Sequence, residues 1–363
     1  MAGPLLLERR SPEPDGPADP IRVMIVDDSI VARAVFARLL DADPRFAVTA
    51  QAGTAAQALD LLRTQPVDVV LLDLEMPGRH GLDALPELLA ASDGAKVVIV
   101  SAACAEGASA TVRALMLGAA DTLLKPAPGA LGGAFADMLR DRLLRLSDTR
   151  PERPTPVVRR PAGAVRRGAV DCVAIGASTG GLHALAALFA GWPTRCDAPI
   201  LVTQHLPPVF MPYFADQLAR MTGRATTVAV DGVRLERGRV YVAPGTAHLD
   251  LADGPGGTRI RLDRQRAASG CLPSVDPMLT AVARHYGPRG LAIMLSGMGR
   301  DGATGAARLV EAGGTLLAQD RVSSVVWGMP GAVAAIAAEV APPARLAAAL
   351  GERLGVEGCG SWS

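Results

Sequence analysis

The sequence predicts the α/β fold class, with two doubly wound parallel-sheet domains in one chain. Short Val/Ile/Leu runs alternate with longer amphipathic runs rich in Ala and Leu, a pattern typical of parallel strands covered by helices. This alternation breaks at residues 147–168, where prolines and arginines replace the apolar periodicity. The length of 363 residues also exceeds what one ordinary hydrophobic core supports. We therefore expect two separate sheets joined by a linker.

The composition sets the expected domain boundaries. Residues 1–20 carry Pro, Asp, Glu and Arg without a continuous apolar run, so we expect a disordered N-terminal extension. Residues 21–146 form the first predicted domain. Residues 147–168 form a Pro/Arg-rich linker, and residues 169–355 form the second domain.

The overall composition excludes several classes of function. Aromatic residues make up only 3% of the chain and the net charge is +1, which disfavours proteins that stack nucleic-acid bases or bind anionic membranes. The five cysteines are odd in number and lack CxxC spacing, which favours reduced thiols over disulfides or a zinc site. No apolar run reaches transmembrane length without a charge or a turn residue. We expect a cytoplasmic protein with no membrane insertion.

Polar side chains follow the predicted strands of the first domain. The apolar runs are IRVMIV, FAVTA, VDVVLL, KVVIV and DTLL. Asp27 and Asp28 follow the first, Asp73 the third, Ser101 the fourth and Lys125 the fifth. Ligands of such sheets bind beyond the carboxyl ends of the strands, and clustered carboxylates suit Mg²⁺. A lysine and a hydroxyl beside them could hold a phosphoryl group.

The second domain begins with VAIGASTGGLHAL, which predicts a strand, a tight turn and a helix. Its glycines do not match the dinucleotide-binding pattern, and no Lys-Ser/Thr pair follows them as in a P-loop. The turn does match Gly-x-Ser-x-Gly, which exposes a serine oxygen at the end of a strand. Ser178 is therefore a candidate nucleophile, although a serine that merely caps a helix would give the same pattern.

A serine nucleophile requires a base and an orienting acid. His205 follows the strand in PILVTQHLPP, level with Ser178, and Asp301 follows the strand in LAIMLSGMGRDGATGA. The order Ser, His, Asp differs from that of α/β-hydrolases, which favours a convergent triad on another fold. The other histidines have weaker placements as bases: His80, His183, His248 and His285.

The first domain resembles the receiver domain of bacterial two-component systems, on the strength of VDDS, LLDLEMPG and LKP in the family's order and spacing. The resemblance implies that Asp73 accepts the phosphoryl group and helps Asp27 and Asp28 to hold Mg²⁺. Ser101 and Lys125 would contact the phosphoryl oxygens. Two positions depart from the family: Thr122 stands where many receivers have an aromatic switch residue, and the loop after Asp73 contains His80.

The second domain resembles the catalytic domain of the chemotaxis response regulator protein-glutamate methylesterase. Besides the three segments above, APG, PSVD and VVWGMP occur at the expected places. The resemblance implies a nucleophilic Ser178, a His205 that acts as base and then acid, and an Asp301 that holds the imidazole tautomer. Thr179 and Met298 match positions that flank the serine and the oxyanion region. Leu272 stands where a basic residue is often found.

The same resemblance implies the reaction and the partners. The expected reaction is hydrolysis of glutamate γ-methyl esters on chemoreceptors, with release of methanol, and possible deamidation of receptor glutamines. A chemotaxis histidine kinase would be the phosphodonor. Mg²⁺ would serve only receiver phosphorylation, with no cofactor for the esterase and no nucleic-acid partner. Two alternatives remain open: a receiver-controlled serine hydrolase of another ester, and a non-catalytic response regulator whose second domain binds a partner such as DNA.

Overall fold

The protein, described here by a computed structural model, is defined over residues 19–101, 104–125, 133–147 and 169–354. Apart from residues 19, 20 and 147, the expected N-terminal extension and linker lie outside the described residues. Within the described residues, none of the helices has both the length and the apolar character that a membrane span requires.

A five-stranded parallel sheet forms the first half of the chain, in the order β2-β1-β3-β4-β5. All five apolar runs that predicted strands are strands. Because β3 is buried along its whole length, its Val and Leu residues form a continuous apolar run, as in a sheet covered on both faces. The elements are β1 (Ile21–Val26), α1 (Ile30–Asp41), β2 (Phe46–Ala52), α2 (Ala55–Leu62), β3 (Val69–Asp73), α3 (Gly81–Ala91), β4 (Lys96–Ser101), α4 (Ala105–Leu117), β5 (Asp121–Leu124) and α5 (Gly133–Ser147).

Side-chain caps begin two of the helices in this half. The Ser29 hydroxyl accepts a hydrogen bond from the Ala32 amide at the start of α1, and Thr54 caps α2 through the Gln57 amide. Such caps satisfy amides that have no partner within the helix and stabilise each helix by about 1 kcal/mol. The Ser29 cap fixes the start of α1, directly after the strand end that carries Asp27 and Asp28.

A seven-stranded parallel sheet forms the second half, in the order β14-β13-β12-β6-β7-β9-β8, with a separate antiparallel pair β10-β11. The prediction of two doubly wound parallel sheets is confirmed. The elements are β6 (Cys172–Ala177), α6 (Gly181–Ala190), β7 (Ile200–Gln204), α7 (Met211–Thr222), β8 (Thr226–Val228), β9 (Val240–Val242), β10 (His248–Gly254), β11 (Gly257–Asp263), α8 (Val275–Tyr286), β12 (Gly290–Met294), α9 (Ala303–Glu311), β13 (Thr315–Gln319), α10 (Met329–Val333), β14 (Glu339–Ala341) and α11 (Pro343–Arg353), with 3₁₀ turns at Pro208–Phe210 and Gly287–Arg289.

The topology of the second sheet places three strand ends together. Strand β6 lies between β12 and β7, so the chain leaves β6 towards one side and later returns on the other. Binding sites of open α/β sheets form at such a reversal, beyond the carboxyl ends of the strands. Ala177 pairs with Gln204 across β6 and β7, so the residues that follow them are level with each other.

The two halves pack against each other through the receiver-like half's α4 and the start of β5. Helix α4 contacts α6 and α7, and one cluster of buried apolar side chains runs from the first sheet into the second. A second cluster joins Phe135 and Leu139 of α5 to Val326. The carboxyl end of β6 therefore faces the first half of the chain.

Candidate active site

The turn after β6 fixes the backbone of Ser178 from three sides. Its amide donates to the Ser296 carbonyl at 3.0 Å, and its carbonyl accepts from the Gly181 amide at 2.8 Å and from Gln204 Nε2 at 2.8 Å. The side chain is half-buried at the sheet edge. This is a rigid platform for a serine oxygen at the start of a helix, where backbone amides converge.

The glycines around Ser178 are required by space as well as by backbone conformation. Gly180 has a φ of 73°, and a β-carbon there would lie 2.5 Å from Val325. A β-carbon at Gly181 would lie 2.4 Å from Gln204 Oε1. Larger residues would therefore displace the turn from β7 or from the 325–326 segment, and Ser178 with it.

The imidazole of His205 is paired with Asp301. Nε2 of His205 lies 2.9 Å from Oδ2 of Asp301, while the ring keeps 18% of its surface exposed. Ser178 and His205 line the same small pocket. Because Nε2 carries the hydrogen that faces the carboxylate, Nδ1 is left with the free lone pair and is the ring nitrogen able to accept a proton.

Asp301 is held as an oriented carboxylate. Ser274 Oγ donates to its Oδ1 at 2.6 Å, and the Val275 amide donates to its Oδ2 at 2.7 Å. Burial alone would raise the pKa of Asp301, but the hydrogen bonds from His205 and Ser274 outweigh burial and lower this pKa to about 2. The group is therefore ionised at any physiological pH.

The carboxylates of the first sheet converge as the sequence predicts. Ligand oxygens of Asp27, Asp28 and Asp73 all lie within 4.8 Å of one another. Lys125 Nζ lies 2.6 Å from Asp73 and 2.9 Å from Asp27. Three carboxylates with hard oxygen ligands at one strand edge fit Mg²⁺.

Burial and pairing perturb this cluster. Burial is the largest influence on Asp73 and raises its pKa, although hydrogen bonding and the positive charge of Lys125 oppose the shift. For Lys125, burial would lower the pKa, but the hydrogen bonds to Asp73 and Asp27 reverse this and raise it. The buried Ser101 hydroxyl has no hydrogen-bond partner among the described residues, so it is available to a ligand bound at this strand edge.

Comparisons with known proteins identify both halves. Residues 173–350 match the CheB methylesterase family model, and residues 23–132 match the response regulator receiver domain model. The protein-glutamate methylesterase/protein-glutamine glutaminase 2 of Caulobacter vibrioides is 43% identical over 324 residues, which cover 86% of this chain and 92% of that protein. The chain belongs to this methylesterase family. The protein-glutamate methylesterase/protein-glutamine glutaminase of the group 2 operon of Rhodospirillum centenum is 38% identical. The match covers 88% of this chain and 90% of that protein.

Among solved structures, the chain is similar to the crystal structure of the Thermotoga maritima CheB methylesterase catalytic domain. That domain is 33% identical with a TM-score of 0.49, and the match covers 52% of this chain and all of the domain.

The receiver half lies directly against the turn that carries Ser178. The Gly180 amide donates to the Ala120 carbonyl at 2.8 Å, and the Thr179 hydroxyl donates to Asp121 Oδ2 at 2.9 Å. We call these two bonds the docking contact. The pocket that remains between the halves beside Ser178 measures about 10 Å³, which is room for roughly one water molecule.

Thr179 and Met298 both face the receiver half. Thr179 is buried and uses its hydroxyl in the docking contact. Met298 packs against the apolar cluster that contains receiver residues. Neither contact tests the expected position of these residues near the oxyanion.

The other three histidines of the second half occupy structural or interface positions, whereas His80 lies before α3 in the first half without a side-chain cap hydrogen bond. His183 Nδ1 lies 3.2 Å from the Met116 carbonyl of the receiver half. His248 is buried, accepts from the Ser274 amide and faces the Gln265 carbonyl at 2.7 Å. His285 Nε2 lies 3.2 Å from the Leu251 carbonyl. None of these contacts involves Ser178 or Asp301.

Sequence analysis missed three polar residues that position the candidate triad. Ser274 orients Asp301, Gln204 binds the Ser178 carbonyl, and buried Ser296 donates its hydroxyl to the Thr179 carbonyl at 2.7 Å. Ser274 could have been found as the N-cap residue of α8, directly before an amphipathic helix. Nothing in the local sequence distinguishes Gln204 or Ser296 from ordinary residues at strand ends.

Proposed function

We propose that this protein hydrolyses glutamate γ-methyl esters of chemoreceptors, with release of methanol, and deamidates receptor glutamines. The carrying observation is the arrangement of Ser178, His205 and Asp301 at three neighbouring strand ends, with His205 joined to Asp301 at 2.9 Å. The names of the relatives, which specify glutamate methylesterase and glutamine glutaminase, support this choice of substrate over other esters.

In the proposed mechanism, Ser178 Oγ attacks the ester or amide carbonyl while Nδ1 of His205 takes its proton. Amides at the start of α6 stabilise the negative charge that develops on the carbonyl oxygen. His205 then returns the proton to the leaving methanol or ammonia. A water molecule releases the acyl group from Ser178 in a second round, which leaves a free glutamate carboxylate.

Asp301 holds the imidazole rather than taking the proton. Its low pKa keeps it anionic, so it stabilises the imidazolium that forms during attack and keeps the hydrogen on Nε2. Ser274 and the Val275 amide in turn prevent the carboxylate from rotating away. Apart from the substrate and the hydrolytic water molecule, the proposed esterase reaction uses groups of this chain.

We further propose that a histidine kinase phosphorylates Asp73 and that Mg²⁺, held by Asp27, Asp28 and Asp73, assists this transfer. Mg²⁺ supplies charge neutralisation for the phosphoryl oxygens. Lys125 binds one of these oxygens as a positive charge, and the unpartnered Ser101 hydroxyl donates to another. The enzyme would act in the cytoplasm, where it meets the cytoplasmic helices of the receptors.

Phosphorylation of Asp73 would open the active site. In the docked arrangement, the Ala120 carbonyl accepts the hydrogen bond of the Gly180 amide, and Ala120 and Asp121 line the pocket beside Ser178. A phosphoryl group adds charge at the Lys125 end of β5 and shifts the equilibrium towards an undocked form.

The deciding experiment measures methanol release from methylated receptor, with a generic ester and a DNA-binding assay in parallel. Ser178→Ala should lower turnover on the order of a thousandfold or more while folding persists. Activity near that of the wild type would overturn the assignment of Ser178. Equal rates with receptor and generic esters would favour a hydrolase of another substrate.

A further inference from the structure

A cysteine that the proposed reaction does not use lies beside its base and acid. One ligand atom from each of His205, Cys271 and Asp301 lies within 4.8 Å of the other two. Asp301 is buried, whereas His205 and Cys271 are both partly exposed. The cluster is therefore reachable from solvent even while the receiver half is docked.

The position of Cys271 is defined by hydrogen bonds. Its amide donates to Ser269 Oγ at 3.3 Å, and Ser269 Oγ donates to Ser274 Oγ at 3.3 Å. Ser274 is the residue that orients Asp301. The loop that carries the thiol is thus linked to the carboxylate beside it.

We propose that His205, Cys271 and Asp301 form an inhibitory site for Zn²⁺. Imidazole nitrogen, thiolate sulfur and carboxylate oxygen are the three ligand types of protein zinc sites, and three protein ligands leave a fourth position for water. Mg²⁺ prefers oxygen ligands only, so this cluster selects against the ion proposed for the receiver.

The distances permit tetrahedral coordination with small movements. Zinc–ligand bonds of about 2.0–2.3 Å place neighbouring ligand atoms roughly 3.3–3.7 Å apart. His205 Nε2 and Asp301 Oδ2, now 2.9 Å apart, need to separate by only about half an ångström. The 4.8 Å upper limit on the sulfur separation is within the reach of a side-chain rotation. Both Asp301 oxygens keep a donor from Ser274 or Val275, as is usual for ligating carboxylates.

Zinc at this site would disable the base. The ion takes the place of the hydrogen between Nε2 and Asp301, so the ring hydrogen moves to Nδ1 and the imidazole remains neutral. Nδ1 then has no lone pair to accept the proton of Ser178. The Cys271 thiol releases its proton to solvent when it becomes a ligand. Binding is reversible because only proton positions and metal–ligand bonds change, and no bond between heavy atoms of the protein is made or broken.

The binding test uses full-length protein with Co²⁺ as a spectroscopic substitute for Zn²⁺ and excess Mg²⁺ to occupy the receiver carboxylates. Wild-type protein should show a near-ultraviolet thiolate-to-cobalt absorption band that Zn²⁺ abolishes. Cys271→Ala should lack this band, whereas the matched variant Cys104→Ala, at an exposed thiol in the receiver half, should retain it. A band of equal strength in Cys271→Ala would overturn the site.

The activity test rests on the proposed function, whereas the binding test does not. Micromolar Zn²⁺ should inhibit methanol release, a chelator should restore it, and Cys271→Ala should need at least about tenfold more Zn²⁺ for half-inhibition. Cys271→Ala should keep its activity without zinc. Equal inhibition of both proteins would contradict the proposal. A cobalt band in a protein without esterase activity would refute the function and leave the metal site intact.

Discussion

His205 is the residue on which the candidate active site depends, because its two ring nitrogens have separate partners. Nε2 faces the buried Asp301, so Nδ1 is left to accept a proton, as the proposed mechanism requires. The other described histidines of the second half use their ring nitrogens on backbone carbonyls, amides or surface carboxylates. The sequence prediction of His205 as the base rests on its position at the end of β7, because parallel strands bring their carboxyl ends to one edge.

Exchange of single histidines tests this choice of base. His205→Gln should reduce methanol release on the order of a thousandfold, because glutamine cannot accept a proton from Ser178. His285→Gln should change the rate less than about threefold, since its ring contacts the Leu251 carbonyl, Arg284 and Asp253 rather than the candidate triad. Steady-state rates on methylated receptor provide the measurement. Similar losses in both variants would remove the support for His205.

The low pKa of Asp301 predicts a pH-dependent contribution to stability. The pKa is depressed from 3.8 to about 2 in the folded protein, so the stabilisation is complete above the unfolded value and is lost as pH falls towards 2. The full contribution is about 2 kcal/mol. The difference in the free energy of unfolding between wild type and Asp301→Asn should therefore decrease by about 1 kcal/mol as the pH is lowered from 6 to 3.

Urea unfolding followed by tryptophan fluorescence measures this difference in unfolding free energy, and it reports on the second half of the molecule, which contains Asp301. All three tryptophans lie after residue 190, outside the receiver half. Asp263→Asn, at a partly exposed position at the end of β11, supplies a matched control with no contact to His205. A gap that is independent of pH would show that the ionised form of Asp301 contributes nothing to folding.

At the scale of elements, β5 connects the two sites. Its four residues carry Asp121 at one end, in the docking contact, and lead into Lys125 at the other, on the Asp73 carboxylate. Between them, the buried Thr122 hydroxyl has no partner, where many receivers carry an aromatic side chain. Arg142 of α5 donates to the Thr122 carbonyl at 2.5 Å and so ties β5 to α5. A displacement of Lys125 would be transmitted along this short strand.

Removal of the Asp121 carboxylate should weaken docking. Asp121→Ala deletes the acceptor of the Thr179 hydroxyl, and an interface hydrogen bond to a charged group contributes about 1.5 kcal/mol or more. We expect the unphosphorylated enzyme to become roughly tenfold faster. Asp141→Ala, which removes an exposed pair with Arg145, should have no such effect. A slower or unchanged Asp121→Ala enzyme would show that this bond does not restrain the site.

The strands and the docking contact differ in how far sequence could predict them. Runs such as IRVMIV and DTLL became β1 and β5 with the expected bounds, because burial on both faces demands consecutive apolar residues. The strand ends then predicted the cluster of Asp27, Asp28 and Asp73. The contact between Asp121 and Thr179 joins residues 58 positions apart on different sheets. The periodicity of a sequence does not indicate which surfaces of two domains meet. This contact could therefore be found only from the structure.

At the scale of the whole molecule, the receiver half carries the carboxylate cluster around Asp73 and also lines the pocket beside Ser178. The apolar cluster shared by the two halves stabilises the docked arrangement, while the docking contact places a receiver carbonyl on the Gly180 amide. Interfaces between domains of one chain are generally reversible, so a modest free-energy change can shift their equilibrium. Under the proposed function, the docked and undocked forms are the two states of one equilibrium, and phosphorylation of Asp73 shifts it.

Separate removal of the phosphorylation site and of the receiver half distinguishes occlusion from other switches. Asp73→Asn should block activation of the full-length enzyme by a small acyl phosphate with Mg²⁺. Deletion of residues 1–146 should raise methanol release above that of the unphosphorylated full-length protein, because the Gly180 amide and the pocket beside Ser178 become accessible. The truncated enzyme should also ignore the phosphodonor. If truncation instead leaves the rate at the unphosphorylated level, docking does not limit access, and phosphorylation must act on the catalytic groups by another route, with Thr122 the first residue to test.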